Sequence, residues 1–270
     1  MCSLKAIDDS RYVRTKPMNA FNGLLWQGPF GMQYWQKIGL GIGIIGTLFL
    51  TYGGLRQPQW MFRVGSLLKP GALFFVDTEQ PVIALTIDDG PHIETTDAIL
   101  QVLERHGVTA TFFMLSDDLP EHDATIRRLV ASGHELGNHM TEDEASISLS
   151  SNEFKDKFLR ADGALSGYGP VSWFRPGMGW YNDAMVNVIA GEDYQLVLGS
   201  LFPYDPHVPS VRFAEWFVLT NLDPGDILVL HDGPKNRGER TVDLLGRLLP
   251  KIKARGYRVV TLTELKSYGE

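Results

Sequence analysis

The stretch Pro81-Val-Ile-Ala-Leu-Thr-Ile87 constrains this chain more than any other segment. It carries no charge, is rich in β-branched residues, and runs straight into Asp88-Asp89-Gly90-Pro91. A strand that is apolar on both faces has no side to offer water, so it belongs inside a sheet covered on both sides. Helical and extended segments then alternate down the chain. Thr95 to His106 has helical spacing at Ile99, Leu100, Val102 and Leu103, with a stop at Gly107. A strand is predicted at 109–115, a helix at 121–132 closed by Gly133, and an extended run at 134–138 leading into His139. Further helices are predicted near 152–166 and 183–189, and strands near 171–174 and 195–199. The end reads strand 226–230, helix 240–255, strand 258–263. Strands and helices alternating at this spacing predict an α/β fold, with a parallel sheet and helices outside it. The length suits a barrel-like closure or an open sheet. In a barrel of this class, chemistry gathers at the C-terminal ends of the strands.

The reactive side chains fall at those ends. Asp88 and Asp89 follow the first strand, His139 the extended run, Arg175 the segment at 171–174, and Asp205 the strand at 195–199. His231 and Asp232 follow the strand at 226–230, and Asp232 is read as a loop cap without a catalytic role. Two neighbouring carboxylates on extended backbone point opposite ways, so one can face a metal and the other a substrate water. His139 and Asp143 are spaced i, i+4, so a helical turn would bring both to one ion. One carboxylate plus this pair makes three ligands and leaves positions open, which marks a catalytic rather than a structural site. An ion so held activates water and polarises a carbonyl. His231, across the site, can protonate a leaving amine. The inventory fits hydrolysis of an amide.

Four segments in order carry a resemblance. Thr86-Ile-Asp-Asp-Gly-Pro91, Gly133-His-Glu-Leu-Gly-Asn-His139, Phe174-Arg-Pro-Gly-Met-Gly179 and Ile227-Leu-Val-Leu-His-Asp-Gly233 resemble the motifs of the polysaccharide deacetylase (NodB-homology) family, over roughly residues 76–265. The resemblance implies a distorted (β/α) barrel that binds a divalent metal, zinc as a rule with cobalt or manganese as alternatives, and removes acetyl groups from sugars. It implies Asp88 as general base, Asp89 and His139 as metal ligands, and Arg175 as the residue that orients the base. It implies His231 as general acid held by a carboxylate, here Asp205, and Val229 as part of an acyl-methyl pocket. The sequence departs from the pattern where a second histidine is usual, with Asp143 in its place, and where a third-motif aromatic is usual, with Met178. The expected substrate is an N-acetylated, chitin-like glycan. A small amide or imide on the same fold, or a glycan-binding pseudoenzyme, are the alternatives. Trp173, Trp180 and Tyr181 are expected as exposed rim aromatics suited to a sugar. His207, beside Asp205, is the reserve candidate for a third ligand.

The rest of the chain sets the domain plan. Residues 1–37 read as a poorly ordered tail, 38–55 as a transmembrane anchor, 56–75 as a linker and 76–270 as the catalytic domain. The anchor reading rests on 18 uncharged residues from Ile38 to Leu55, flanked by Tyr34, Trp35 and Tyr52. Five basic residues precede that run against three in the twenty after it, a small bias towards a non-cytoplasmic catalytic domain. Gly41 to Gly46 fits GxGxxG, but no strand–turn–helix frames it, so no dinucleotide site is expected. The whole chain sums to −7 and the first 37 residues to +3, so the body carries −10, which argues against a nucleic-acid partner.

Overall fold

The computed structural model describes residues 32–269. The tail expected at 1–37 therefore lies outside the described residues, except for its last six, which are helical. Contacts divide the chain into two units, 1–50 and 51–270. In the first, helix α1 (Met32–Arg56, which continues into the second unit) exposes Leu40, Ile42, Ile45, Leu48 and Leu50. Its stretch Ile38–Arg56 has 19 residues and a mean hydropathy of 1.7, long and apolar enough to cross a membrane.

The second unit takes in the last turns of α1. Tyr204 Oη donates to the carbonyl of Gly54 at 2.7 Å and Asn221 Nδ2 to that of Leu55 at 3.0 Å, so two orphan carbonyls at the helix end are satisfied by the body. The segment expected as a linker is instead structured. Helix α2 (Gln59–Leu68) follows Pro58, and Gln59 Nε2 donates to Pro224 O and to Asp226 Oδ1 at 2.8 and 2.9 Å. Strand β1 (Ala72–Leu73) then joins the sheet.

From there the alternation is regular: β2 (Val82–Gly90), α3 (Thr95–His106), β3 (Thr111–Met114), α4 (Asp123–Ala131), β4 (Glu135–Asn138), α5 (Ser151–Leu165), β5 (Trp173–Phe174) and α6 (Asp183–Ala190). Then come β6 (Gln195–Val197), α7 (Val211–Asn221), β7 (Ile227–His231), α8 (Arg237–Ala254), β8 (Arg258–Val260) and α9 (Leu262–Lys266). Every ladder between these strands is parallel, in the order β1-β6-β5-β4-β3-β2-β7, with β8 also on β2. The ends of that order meet through isolated bridges, Leu201 with Leu228 and Phe75 with Asp226. The sheet thus curls into the distorted barrel with outer helices that the resemblance implied, rather than an open sheet. The long apolar strand lies at its centre. Ile83, Ala84, Leu85 and Ile87 have no exposed surface, and Ile83, Leu85 and Ile87 share one cluster with Ile99, Leu103, Phe112, Leu245 and Leu248.

A candidate active site at the strand ends

The C-terminal end of β2 is irregular, and that irregularity builds the site. Asp88 pairs with Phe113 and Gly90 with Met114, so Asp89 is an extra residue in the ladder. Its φ is 65°, in the left-handed region that non-glycine residues seldom adopt. A bulge of this kind re-aims side chains. Simple alternation along an extended strand, the expectation from sequence, would point the two aspartates opposite ways, one to a metal and one to a substrate water. Here both are buried in the same site, with side chains 4% and 8% exposed.

Asp88 Oδ1 accepts from Arg175 Nη1 at 2.6 Å. That nitrogen also donates to Thr86 Oγ1 at 2.7 Å, and the threonine hydroxyl donates on to the carbonyl of Leu228. Arg175 is itself buried, and its guanidinium lies 4.2 Å from the centre of the Phe113 ring. Burial pulls its pKa down, and Asp88 opposes that. Room for the Phe113 ring exists because its partner across the ladder is Gly137, where a Cβ would lie 2.5 Å from the ring.

Asp89 faces two cations or would-be cations. Oδ1 lies 3.1 Å from His139 Nε2 and Oδ2 lies 3.0 Å from Arg237 Nη1. Burial raises the Asp89 pKa, but His139, His231 and Arg237 more than offset it and hold the carboxyl at about 2. For His139, burial lowers the pKa, yet Asp89 and Asp88 raise it on balance. The tautomer is set by the other ring nitrogen. His139 Nδ1 is 2.7 Å from the carbonyl oxygen of Arg175, which can only accept, so Nδ1 carries a proton. In the neutral ring, Nε2 then presents a lone pair to a carboxylate oxygen. Two such acceptors need a positive centre between them, a proton or a metal ion. Two donors about 2 Å from one Zn²⁺ sit roughly 3 Å apart, and a ligand histidine normally donates its other N–H to a carbonyl. The Asp89–His139 pair therefore fits a divalent cation.

Asp143 does not join it. Residues 141–144 form bends rather than the helical turn that i, i+4 spacing requires, and the Asp143 side chain is exposed. Among the described residues no three His, Cys, Asp or Glu side chains converge on one point, so the trio Asp89, His139 and Asp143 is not assembled. His207 is also exposed.

On the other flank, β7 pairs with β2 so that His231 is in register with Asp88. Asp205 lies 3.1 Å from His231 Nδ1 with both oxygens, and accepts from the His231 backbone N–H at 3.0 Å. Burial pulls the His231 imidazole down, but Asp205, with Asp88 and Asp89 behind it, pushes it up to about 9. Val229 is buried in the same strand. Asp232 points away from the site and accepts from the Thr95 and Thr96 hydroxyls. Of the expected rim aromatics only Trp180 is exposed. Trp173 is buried, with its indole N–H on Glu135 and Thr263, and the Tyr181 hydroxyl donates to the carbonyl of Lys69. Their places in the second and third apolar clusters, not at the rim, account for the difference. Met178 is exposed, at a φ of 61°.

Sequence reasoning missed Arg237 and Thr86 as members of the site. Thr86 was in plain view within a motif. Arg237 opens helix α8 beyond the span that periodicity marked, and its one signal is a cation at the start of a helix, where the dipole disfavours it.

The comparisons agree with this geometry. A family model described as Polysaccharide deacetylase matches residues 75–197. A peptidoglycan-N-acetylglucosamine deacetylase of Bacillus cereus is 33% identical over 197 residues, covering 72% of this chain and 92% of that one. A chitooligosaccharide deacetylase of Sinorhizobium fredii is 32% identical over 200 residues, covering 69% and 93%. The crystal structure of the Bc1960 peptidoglycan N-acetylglucosamine deacetylase superposes with a TM-score of 0.70 at 26% identity, over 75% of this chain and 95% of that one. A CE4 family pseudoenzyme from Bacillus anthracis shares the fold, with a TM-score of 0.68 at 24% identity, over 74% and 70%. With the strand-end motifs, the barrel and these relatives in agreement, the chain belongs to the polysaccharide deacetylase family.

Proposed function

We propose that this chain hydrolyses the acetamide of an N-acetylated glycan, with a divalent cation held by Asp89 and His139. The observation that carries the reading is the paired register of Asp88 and His231, each held by its own partner of opposite charge. A carboxylate fixed through Oδ1 by Arg175 keeps Oδ2 for the proton of an attacking water. An imidazole pushed up to about 9 keeps its Nε2 proton at neutral pH and can deliver it to the departing amine. When bound, the cation supplies Lewis-acid polarisation of the amide carbonyl. Zinc is the first candidate, with cobalt or manganese as alternatives. Trp180, exposed near the loop that carries Arg175, offers a flat apolar face to a sugar ring. Relatives named as deacetylases of peptidoglycan N-acetylglucosamine and of chitooligosaccharides support a glycan over a small amide or imide. Helix α1 anchors the enzyme in a membrane on this reading, with the barrel on the non-cytoplasmic side. Protease accessibility in sealed vesicles tests that arrangement, and a full-length chain soluble without detergent would end it.

The decisive assay is acetate release from N-acetylglucosamine oligomers and peptidoglycan fragments. Asp88→Asn and His231→Ala should each lose about 10²–10⁴-fold in rate while still binding metal. Dialysis against a chelator should abolish turnover, and Zn²⁺, Co²⁺ or Mn²⁺ should restore it. Full turnover in metal-free protein would refute the cation. Glycan binding with no acetate released from any of these substrates would establish the pseudoenzyme instead.

A further inference from the structure

Arg237 is held in an unfavourable place by several independent devices. It is the first residue of α8, where a cation faces the positive end of the helix dipole. The two residues before it, Lys235 and Asn236, have φ of 61° and 59°. Left-handed backbone at successive non-glycine positions stores strain and persists only where the surroundings impose it. The guanidinium passes over Gly233, whose φ is 110°, and a Cβ there would lie 2.6 Å from Nη2. Its Nε is buried without a hydrogen-bond partner among the described residues. What this arrangement achieves is one contact, Nη1 on Asp89 Oδ2 at 3.0 Å, with the two side chains 19% and 8% exposed. A surface ion pair of ordinary worth would not hold such a geometry against those costs.

The two oxygens of Asp89 are thus divided. Oδ2 belongs to Arg237, and Oδ1 alone is left facing His139 Nε2. We propose that Arg237 is a resident counter-cation on the ligand Asp89: it makes Asp89 a single-oxygen donor and weakens the site's hold on a divalent cation. The inference rests on the reading that Asp89 and His139 are the metal ligands. Two effects compete when Arg237 is removed. Loss of an orienting partner weakens metal binding by about ten- to a hundred-fold. Loss of a fixed positive charge across one carboxylate from a dication strengthens it. In a site this buried the charge effect outweighs the orienting one on the Coulomb scale, even at an effective dielectric near 20. Arg237 therefore trades affinity for an ion that keeps more of its positive charge, since the ligand charge it would share is already partly neutralised.

The test measures Zn²⁺ and Co²⁺ dissociation constants on the full chain in detergent by competition with a chromophoric chelator. It uses the parent, Arg237→Gln, Arg237→Met and Arg237→Lys, with thermal melts to confirm folding. Gln and Met should bind both ions at least about tenfold tighter than the parent. Lys keeps the charge, so it should return affinity to within about threefold of the parent. The sign is diagnostic, because damage to a site weakens binding and only relief of repulsion tightens it. Affinity equal to or weaker than the parent in the Gln or Met variant would overturn the proposal. So would failure of both to fold while Lys folds, which would mark the ion pair as structural. Asp89→Asn and His139→Ala are the controls for the underlying reading. If they bind as the parent does, or the parent binds neither ion, it is the ligand assignment that fails.

Discussion

Replacing Asp205 by asparagine should turn a pH-tolerant acid into a pH-sensitive one. Asp205 touches His231 with both oxygens at 3.1 Å, and the imidazole stands at about 9 against an ordinary value near 6.5. That difference corresponds to about 3 kcal/mol of preference for the protonated ring. At pH 7.5 the parent ring is almost wholly protonated. Without the carboxylate the ring falls back towards 6.5, with burial opposed only by the more distant Asp88 and Asp89, and at pH 7.5 only about a tenth of it carries the proton. A general acid must be protonated, so the alkaline limb of activity should move down by about two pH units and the rate at pH 7.5 should fall at least about tenfold. At pH 6 most of the variant is still protonated, and this cause should remove less than about half the rate. The asparagine carbonyl can still accept the His231 backbone N–H, so orientation is largely kept. The assay is acetate release from pH 5.5 to 9.5, with kcat and kcat/KM fitted separately. A loss of the same size at every pH, or an alkaline limb that does not move, would show that Asp205 only positions the ring.

His134 should make the fold acid-labile: it is buried, accepts the Ala110 N–H through Nδ1 at 3.1 Å, and burial pushes it down to about 4. The folded value lies below the unfolded 6.5, so this contribution is whole above pH 6.5 and drains away as pH falls towards 4; urea titrations at pH 7.5 and 4.5 should differ by about 2–3 kcal/mol more in the parent than in His134→Gln, and equal losses would refute it. Asp143→Ala should bind Zn²⁺ within about twofold of the parent, because the side chain is exposed on a bend away from the Asp89–His139 pair; a tenfold loss, of the size expected on removing even an indirect partner, would restore Asp143 as a ligand.

The parts of the fold that were legible share a simple cause. Helix α3 matches its predicted span because apolar spacing and Gly107 speak for the same boundaries. The central strand was legible because nothing but a buried sheet accommodates it. Failures came where local signals were outvoted by contacts. Residues 59–68 looked like a linker, yet Gln59 anchors them as a helix on Asp226. Helix α7 was not foreseen, although Ser210 caps it by accepting from the Phe213 N–H. Helix α8 starts three residues early because Lys235 and Asn236 turn the chain without glycine. The last strand stops at Val260 because Thr261 caps α9 instead. In the site, Asp88, Asp89, His139, Arg175, Asp205 and His231 were all legible as strand-end polar residues, and the register of β2 with β7 sets Asp88 beside His231. The bulge at Asp89 and the reach of Arg237 were not, because both depend on backbone left-handed at residues that give no sign of it.

Asp232, read from sequence as a loop cap, ties two neighbouring strand ends of the barrel together. Its buried carboxylate binds the hydroxyls of Thr95 and Thr96 at the start of α3 and the N–H of Gly233 in its own loop. It thereby supplies an anion to the positive end of α3 from a segment more than a hundred residues away. The same clamp joins the start of α3, which follows the end of β2 that carries Asp88 and Asp89, to the loop between His231 at the end of β7 and Arg237 at the start of α8. Asp232 N–H also donates to the Asp88 carbonyl at 2.9 Å, so clamp and ladder are continuous. The opposite seam, where the chain after β6 approaches β7, is closed by the Leu201–Leu228 bridge and by backbone hydrogen bonds from Ser200 and Leu201 to Ile227 and from Val229 to Leu201. The spacing of Asp88 and His231 is held on its own side of the ring, by the β2–β7 register and the Asp232 clamp together.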